Sequence, residues 1–230
     1  MFIGHYAVGF AAKRAAPGAS LGVLIAATGL ADLLAPVFAL AGWEQVRLAP
    51  GVTGVSPFAF VYPLSHSLLT GVGWAVLFAV LYWVWTRYRA GAVVVGLGVV
   101  SHWLLDAASH RPDMPLYPGG ATFVGLGLWN SVAGTVVVEG LMFVAGVWLY
   151  TAMTHPRDRT GRYAFWSFVA LLVVLYAASL LATPKPPTVG ALVVMSLLGW
   201  LVVFWAAWFD RHRSAKQGGA APQQQGRQGS

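Results

Sequence analysis

Apolar residues dominate six long stretches of the chain, and their length, more than their periodicity, predicts the fold. A helix that crosses a hydrocarbon layer uses about 20 apolar residues. Residues 19–42, 65–86, 91–109, 125–151, 163–183 and 188–209 each satisfy that requirement. A shorter apolar stretch, Phe2 to Ala12, ends at Lys13-Arg14 and Pro17 and is too brief to span. It predicts a re-entrant or interfacial helix. The expectation is an all-α, polytopic membrane helical bundle of about six transmembrane helices behind that short N-terminal helix. Residues 1–213 read as one transmembrane domain, in which 1–151 carry the candidate site and 163–209 supply two packing or oligomerisation helices. Ser214 to Ser230, rich in Gln, Gly and Ala, reads as a disordered cytoplasmic tail. The first apolar run contains Asp32 and no small-residue cleavage site, so it reads as a retained helix rather than a signal peptide.

Composition agrees. Hydrophobic residues make up 58% of the 230 and charged residues 9%, against about 25% charged in a water-soluble domain. The absence of cysteine excludes disulfides, thiolate metal sites and a cysteine nucleophile. The net charge of +7 comes from residues between apolar runs and in the tail. These are topology determinants and lipid-headgroup contacts, not a nucleic-acid surface. Lys13, Arg14, Arg87, Arg89, Arg157, Arg159, Arg162, Arg211, Arg213, Lys216 and Arg227 fall on one side of the alternating spans, and only Arg47, Arg111 and Lys185 on the other. The asymmetry is 11 to 3, which makes both ends of the bundle cytoplasmic in a multi-pass membrane protein.

Polar residues inside the apolar stretches are few. At about 1.5 Å per residue, Asp32 lies roughly 20 Å beyond the cytoplasmic start of the first span. His66 opens the second, and His102 and Asp106 lie in the outer part of the third. Glu139 falls near or below the midplane of the fourth, and His5 reaches about 12 Å in from Lys13 if its stretch is helical. A carboxylate at a helix centre costs about 2.5–3.5 kcal/mol, so Asp32, Asp106 and Glu139 together cost on the order of 8–10 kcal/mol if unpaired. No Lys or Arg lies inside a span to offset this. The remaining partners are histidines, protons, water or a divalent cation.

The strongest local motif is Ser101-His102-Trp103-Leu104-Leu105-Asp106. His and Asp at i and i+4 share a helix face and can offer an imidazole nitrogen and a carboxylate oxygen to one ion. Gly4-His5, Asp32 and Ser65-His66-Ser67 add donors from other segments. Mixed His/carboxylate donors favour zinc, with manganese second. Structural readings stand beside these: a protonated, hydrogen-bonded Asp32 or Glu139, a wetted helix cap at His66, and a loop residue at His110. Gly71, Gly73, Gly96 and Gly98 read as helix-packing positions.

These motifs (Gly4-His5, Asp32, Ser65-His66-Ser67, and Ser101-His102 with Asp106) resemble a bacterial family of integral-membrane proteins described as metal-dependent hydrolases, including a LexA-regulated inner-membrane member. The resemblance covers roughly residues 1–120. The order of His and Asp is also distantly similar to secreted zinc-dependent phospholipase C. The resemblance implies His5, Asp32, His66, His102, Asp106 and His110 as metal ligands and Glu139 as a late acidic one. Two family features differ here: paired acids are replaced by Ala31-Asp32-Leu33, and a His-Arg pair by Tyr62-Pro63-Leu64.

The expected function is a membrane-embedded metal-dependent hydrolase acting on an ester or phosphoester of a lipid-like, amphipathic substrate on the outer-leaflet side. Glu139, as general base or extra ligand, and Asp106 are the candidate catalytic residues, with Arg111, Trp103 and Trp129 beside the substrate. The alternatives are a cation- or proton-coupled transport protein and a non-catalytic membrane scaffold tied by a polar cluster. Against transport, most of the polar residues lie in one half.

Overall fold

The computed structural model describes residues 1–48, 54–56, 58–181 and 188–215; the expected tail beyond Ala215, and Lys185, lie outside them. Among the described residues eight α-helices follow one another: α1 (Ile3–Ala15), α2 (Leu21–Thr28), α3 (Leu30–Leu40), α4 (Leu68–Thr86), α5 (Arg89–Ser109), α6 (Val132–Met153), α7 (Arg159–Leu181) and α8 (Val189–Arg211). Among the described residues, α4 to α8 are each long and apolar enough to cross a membrane. The pair α2 and α3 makes a sixth candidate, bent by 60°.

That bend departs from the single straight span expected over 19–42. It falls at Gly29, which is neither helical nor extended. The last carbonyl of α2, on Thr28, bonds to the His102 ring, so a backbone group at the break is satisfied by a side chain from another helix.

α1 has 13 residues, a length of about 20 Å. It packs inside the bundle against α6, α2 and α5. Its Phe10 ring is fully buried and sits 5.4 to 6.2 Å from the rings of Tyr150, Phe143, Phe165 and Phe168. Gly146 makes the approach of α1 to α6 possible: a Cβ there would stand 2.5 Å from the Ala7 carbonyl oxygen. Gly98 does the same for α5 against α2, where a Cβ would meet Ala27 at 3.2 Å. One turn later on α5 comes His102.

Three short antiparallel ribbons lie outside the helices and modify the all-α expectation. β1 (Gln45–Leu48) pairs with β2 (Phe58–Val61), placing Gln45 opposite Val61. β3 (Met114–Pro115) pairs with β4 (Phe123–Val124). β5 (Thr154–Pro156) pairs with β6 (Arg213–Ala215), so Ser214 and Ala215, at the start of the expected tail, are held in a ladder. Backbone groups beyond a helix end are satisfied by pairing with one another.

Two buried ionic clusters mark opposite ends of α1. At its C-terminal end the Lys13 ammonium donates to Asp210 at 2.7 Å and to the Ala19 carbonyl at 2.7 Å. Asp210 also accepts from the Leu21 N–H and the Tyr150 hydroxyl. Lys13, read in the sequence as a topology determinant, is thus half of an internal pair with Asp210. The other cluster gathers around His5.

Candidate metal centre

Four elements supply the cluster. His5 comes from the first turns of α1, Asp32 from the start of α3, His66 from the turn before α4, and His102 with Asp106 from the C-terminal half of α5. His66 is set by its turn, whose Leu64 carbonyl accepts from the Trp74 indole at 3.0 Å. The next residue, Ser67, caps α4 through the Thr70 N–H. The i, i+4 spacing puts His102 Nε2 and Asp106 Oδ2 3.1 Å apart.

Two sets of three residues offer ligand atoms that all lie within 4.8 Å of one another: His5, Asp32 and His102, and His66, His102 and Asp106. His102 belongs to both. His102 Nε2 lies 3.4 Å from His66 Nε2 and 3.9 Å from Asp32 Oδ1. His66 Nε2 lies 3.6 Å from Asp32 Oδ1 and 3.7 Å from Asp106 Oδ2. Four-coordinate zinc with bonds of about 2.0–2.2 Å separates its ligand atoms by about 3.3–3.6 Å. The five separations given above scatter around that range, and each of the two overlapping sets of three donors is capable of holding a divalent cation.

The surroundings strengthen the fit. His102 Nδ1 donates to the Thr28 carbonyl at 2.8 Å, which leaves a lone pair on Nε2 of the neutral ring, facing the cluster. A metal-ligating histidine commonly has its second nitrogen bonded to a carbonyl in this way. His5 stacks on His102 with ring centroids 3.9 Å apart, and its Nε2 meets Asp106 Oδ1 at 3.1 Å. The second nitrogen of His5, Nδ1, is buried with no hydrogen-bond partner among the described residues. The amino group of Met1 also bonds to Asp106 and to Ser109, a cationic contact that counting lysines and arginines did not anticipate.

His5, His66, His102 and Asp106 are almost fully buried, whereas 56% of the Asp32 side chain is exposed. The cluster therefore opens at Asp32. A cavity of about 10 Å³ lies against Ser65, His66 and His102, room for about one water.

The remaining sequence candidates sit outside both ligand sets. Glu139 Oε2 accepts the N–H groups of Phe2 at 2.8 Å and Gly4 at 3.1 Å, so this buried carboxylate holds the start of α1. His110 Nδ1 pairs with Asp113 at 2.9 Å, and its ring centroid lies 4.0 Å from that of Trp129, the two planes tilted by 36°. Arg111 donates to the Ser56 carbonyl at 2.7 Å. Trp103 is buried, and its indole donates to the Pro115 carbonyl at 3.3 Å. The loop after α5 is thus fastened around these side chains. Glu44 was not singled out in the sequence. It is 2% exposed and bonds to the turn that carries His66; its only signal was an acid just beyond an apolar span.

Comparison with protein-family models, with curated proteins and with solved structures returned no match for this chain.

Proposed function

We propose that the chain is a multi-pass protein of a bacterial inner membrane that holds a divalent cation, zinc by preference or manganese, and hydrolyses an ester or phosphoester of a lipid-like substrate. One observation carries the reading. The ligand atoms of His5, Asp32 and His102, and those of His66, His102 and Asp106, gather into two overlapping sets, each close enough to hold an ion. The resemblance to membrane-bound metal-dependent hydrolases rests on these same residues.

The five long helices and the bent pair α2–α3 form the membrane part. The excess of Lys and Arg places the α4–α5 turn and the end of α8 in the cytoplasm. The cluster then lies in the half of the bundle nearer the outer leaflet. A divalent ion held there supplies Lewis acidity toward an ester or phosphoester oxygen and toward water. The chain's own contribution is to hold the donors rigidly, exclude bulk water from His66, His102 and Asp106, and leave Asp32 as the accessible edge where a substrate enters. Such an edge within the hydrocarbon zone suits an amphipathic molecule.

A second reading, a polar cluster that only ties helices together, is favoured by the hydrogen-bond distance between His102 and Asp106, which a shared proton would also produce. Elemental analysis of the detergent-purified protein separates the two. The expected result is stoichiometric metal in the wild type, lost in folded His102→Ala and Asp106→Ala. A folded wild type that stays metal-free after incubation with zinc or manganese overturns the hydrolase proposal.

A further inference from the structure

Glu44 lies in the turn after α3, immediately before β1, and the β1–β2 pairing brings it beside residues 62–66. Its Oε1 accepts the N–H groups of Leu64 at 2.8 Å and Ser65 at 2.7 Å. Its Oε2 accepts the Ser65 hydroxyl at 2.7 Å. No ion pair to Glu44 is found among the described residues, so a buried carboxylate is maintained by hydrogen bonds alone. That is an expensive arrangement for a residue with no further role.

The direction of these bonds has a consequence. A hydroxyl has one proton, and that of Ser65 goes to Glu44. Ser65 Oγ also lies 2.7 Å from His66 Nδ1, so in this second contact it accepts, and Nδ1 carries the ring proton. The neutral ring then has a bare Nε2, the atom that faces His102, Asp32 and Asp106. We propose that Glu44 is a positioning residue that acts through Ser65 to fix the tautomer and orientation of His66, keeping Nε2 free to ligate a cation. The inference rests on the metal-centre reading for its purpose, but its physical content, the tautomer, belongs to the metal-free protein.

Glu44→Gln reverses the relay. The Gln oxygen retains the two backbone N–H groups, its amide donates to Ser65, and the Ser65 proton turns to His66 Nδ1. The ring proton moves to Nε2, where it blocks ligation. Ser65→Ala removes the relay without reversing it and leaves both tautomers available.

The test uses the full chain in detergent micelles, labelled with ¹⁵N-histidine and stripped of metal, with His66 assigned by loss of its signals in His66→Asn. Long-range proton–nitrogen correlation reads which nitrogen is protonated, and titration with zinc chloride alone reads affinity. The expected results are an Nδ1–H His66 in the wild type, an Nε2–H His66 in Glu44→Gln, and a mixture in Ser65→Ala. Zinc affinity should fall about 10- to 100-fold in Glu44→Gln and less in Ser65→Ala. An Nε2–H tautomer in the wild type overturns the proposal, as does an unchanged tautomer in either folded variant. If Glu44→Gln does not fold, the wild-type tautomer and Ser65→Ala still decide. A wild type with the expected tautomer that binds no zinc leaves the relay standing and sinks the metal centre instead.

Discussion

Glu139 received two incompatible roles: a general base in the sequence reading and a helix cap in the structure. Removing it distinguishes them. Its Oε2 accepts from the N–H groups of Phe2 and Gly4, at 2.8 and 3.1 Å, at the end of a helix whose first donors have no intrahelical partner. Hydrogen bonds to a charged acceptor contribute about 1.5–3 kcal/mol each, which sets a gross loss of about 3–6 kcal/mol for Glu139→Ala. Removing the carboxylate also relieves its own desolvation, so the net loss should lie near the lower bound, about 3 kcal/mol. Glu139→Gln keeps an acceptor oxygen without the charge and should lose about half as much, since charge-assisted bonds are roughly twice as strong as neutral ones. Unfolding in mixed micelles, followed by circular dichroism as the denaturing detergent fraction rises, measures both. Zinc affinity should change less than tenfold in Glu139→Gln, because Glu139 is in neither ligand set. A Glu139→Ala protein as stable as the wild type would refute the cap. A Glu139→Gln protein of wild-type stability and zinc affinity that no longer cleaves a phosphodiester would restore the base.

Two further predictions concern the opposite end of the molecule. Lys13→Met takes the ammonium from buried Asp210, which keeps the Leu21 N–H and the Tyr150 hydroxyl, with Arg213 as the more distant cation. Breaking a buried pair in this way costs about 3–5 kcal/mol; the same unfolding assay reads it, and a loss below about 1 kcal/mol, the scale of an exposed pair, would show that the pair is not buried in solution. Outside the helices, Asp158 accepts from the Gly161 N–H at 2.8 Å and meets His212 Nδ1 at 2.7 Å. The Gly161 bond first and the His212 contact second hold its carboxyl below the usual range. Its stabilisation is therefore full above the unfolded pKa of about 3.9 and is lost as pH falls through the lower folded value. Asp158→Asn should flatten the acid side of a Tm-versus-pH curve, and a limb of unchanged steepness would contradict this.

The long helices and the meeting of His5, Asp32, His66, His102 and Asp106 could be read in advance for one reason. In an apolar stretch, a charged or imidazole side chain has few places to go, and the spacing of His102 and Asp106 fixes a shared face whatever the tertiary structure. What could not be read depends on contacts between distant segments. The break at Gly29 is held by a ring from α5, and nothing between Leu21 and Leu40 encodes that partner. Glu44 looked like an ordinary loop acid, because its burial depends on the pairing of β1 with β2. Lys13 was counted with the surface cations; its partner Asp210 lies 197 positions away. Charge counting assigns Lys and Arg to water by default, and a single well-placed carboxylate overrides that default.

The two buried ionic clusters also bear on each other. Around Asp210 the groups match as donors and acceptors: one oxygen takes Lys13 and the Leu21 N–H, the other takes the Tyr150 hydroxyl. Such a cluster ties α1, α2, α6 and α8 together with nothing added. Around His102 the match fails. The Thr28 carbonyl and the Ser65–Glu44 relay hold the protons of His102 and His66 on their far nitrogens, so bare Nε2 atoms face each other and the oxygens of Asp32 and Asp106. Lone pairs at 3.1 to 3.9 Å repel unless positive charge lies among them. The Met1 ammonium reaches only the far oxygen of Asp106, Oδ1, with a second bond to Ser109. A scaffold would be more stable with hydroxyls or amides in place of these groups. Retaining bare acceptors in two overlapping sets of three, with Asp32 as the exposed member, is the arrangement expected where a cation is to be held.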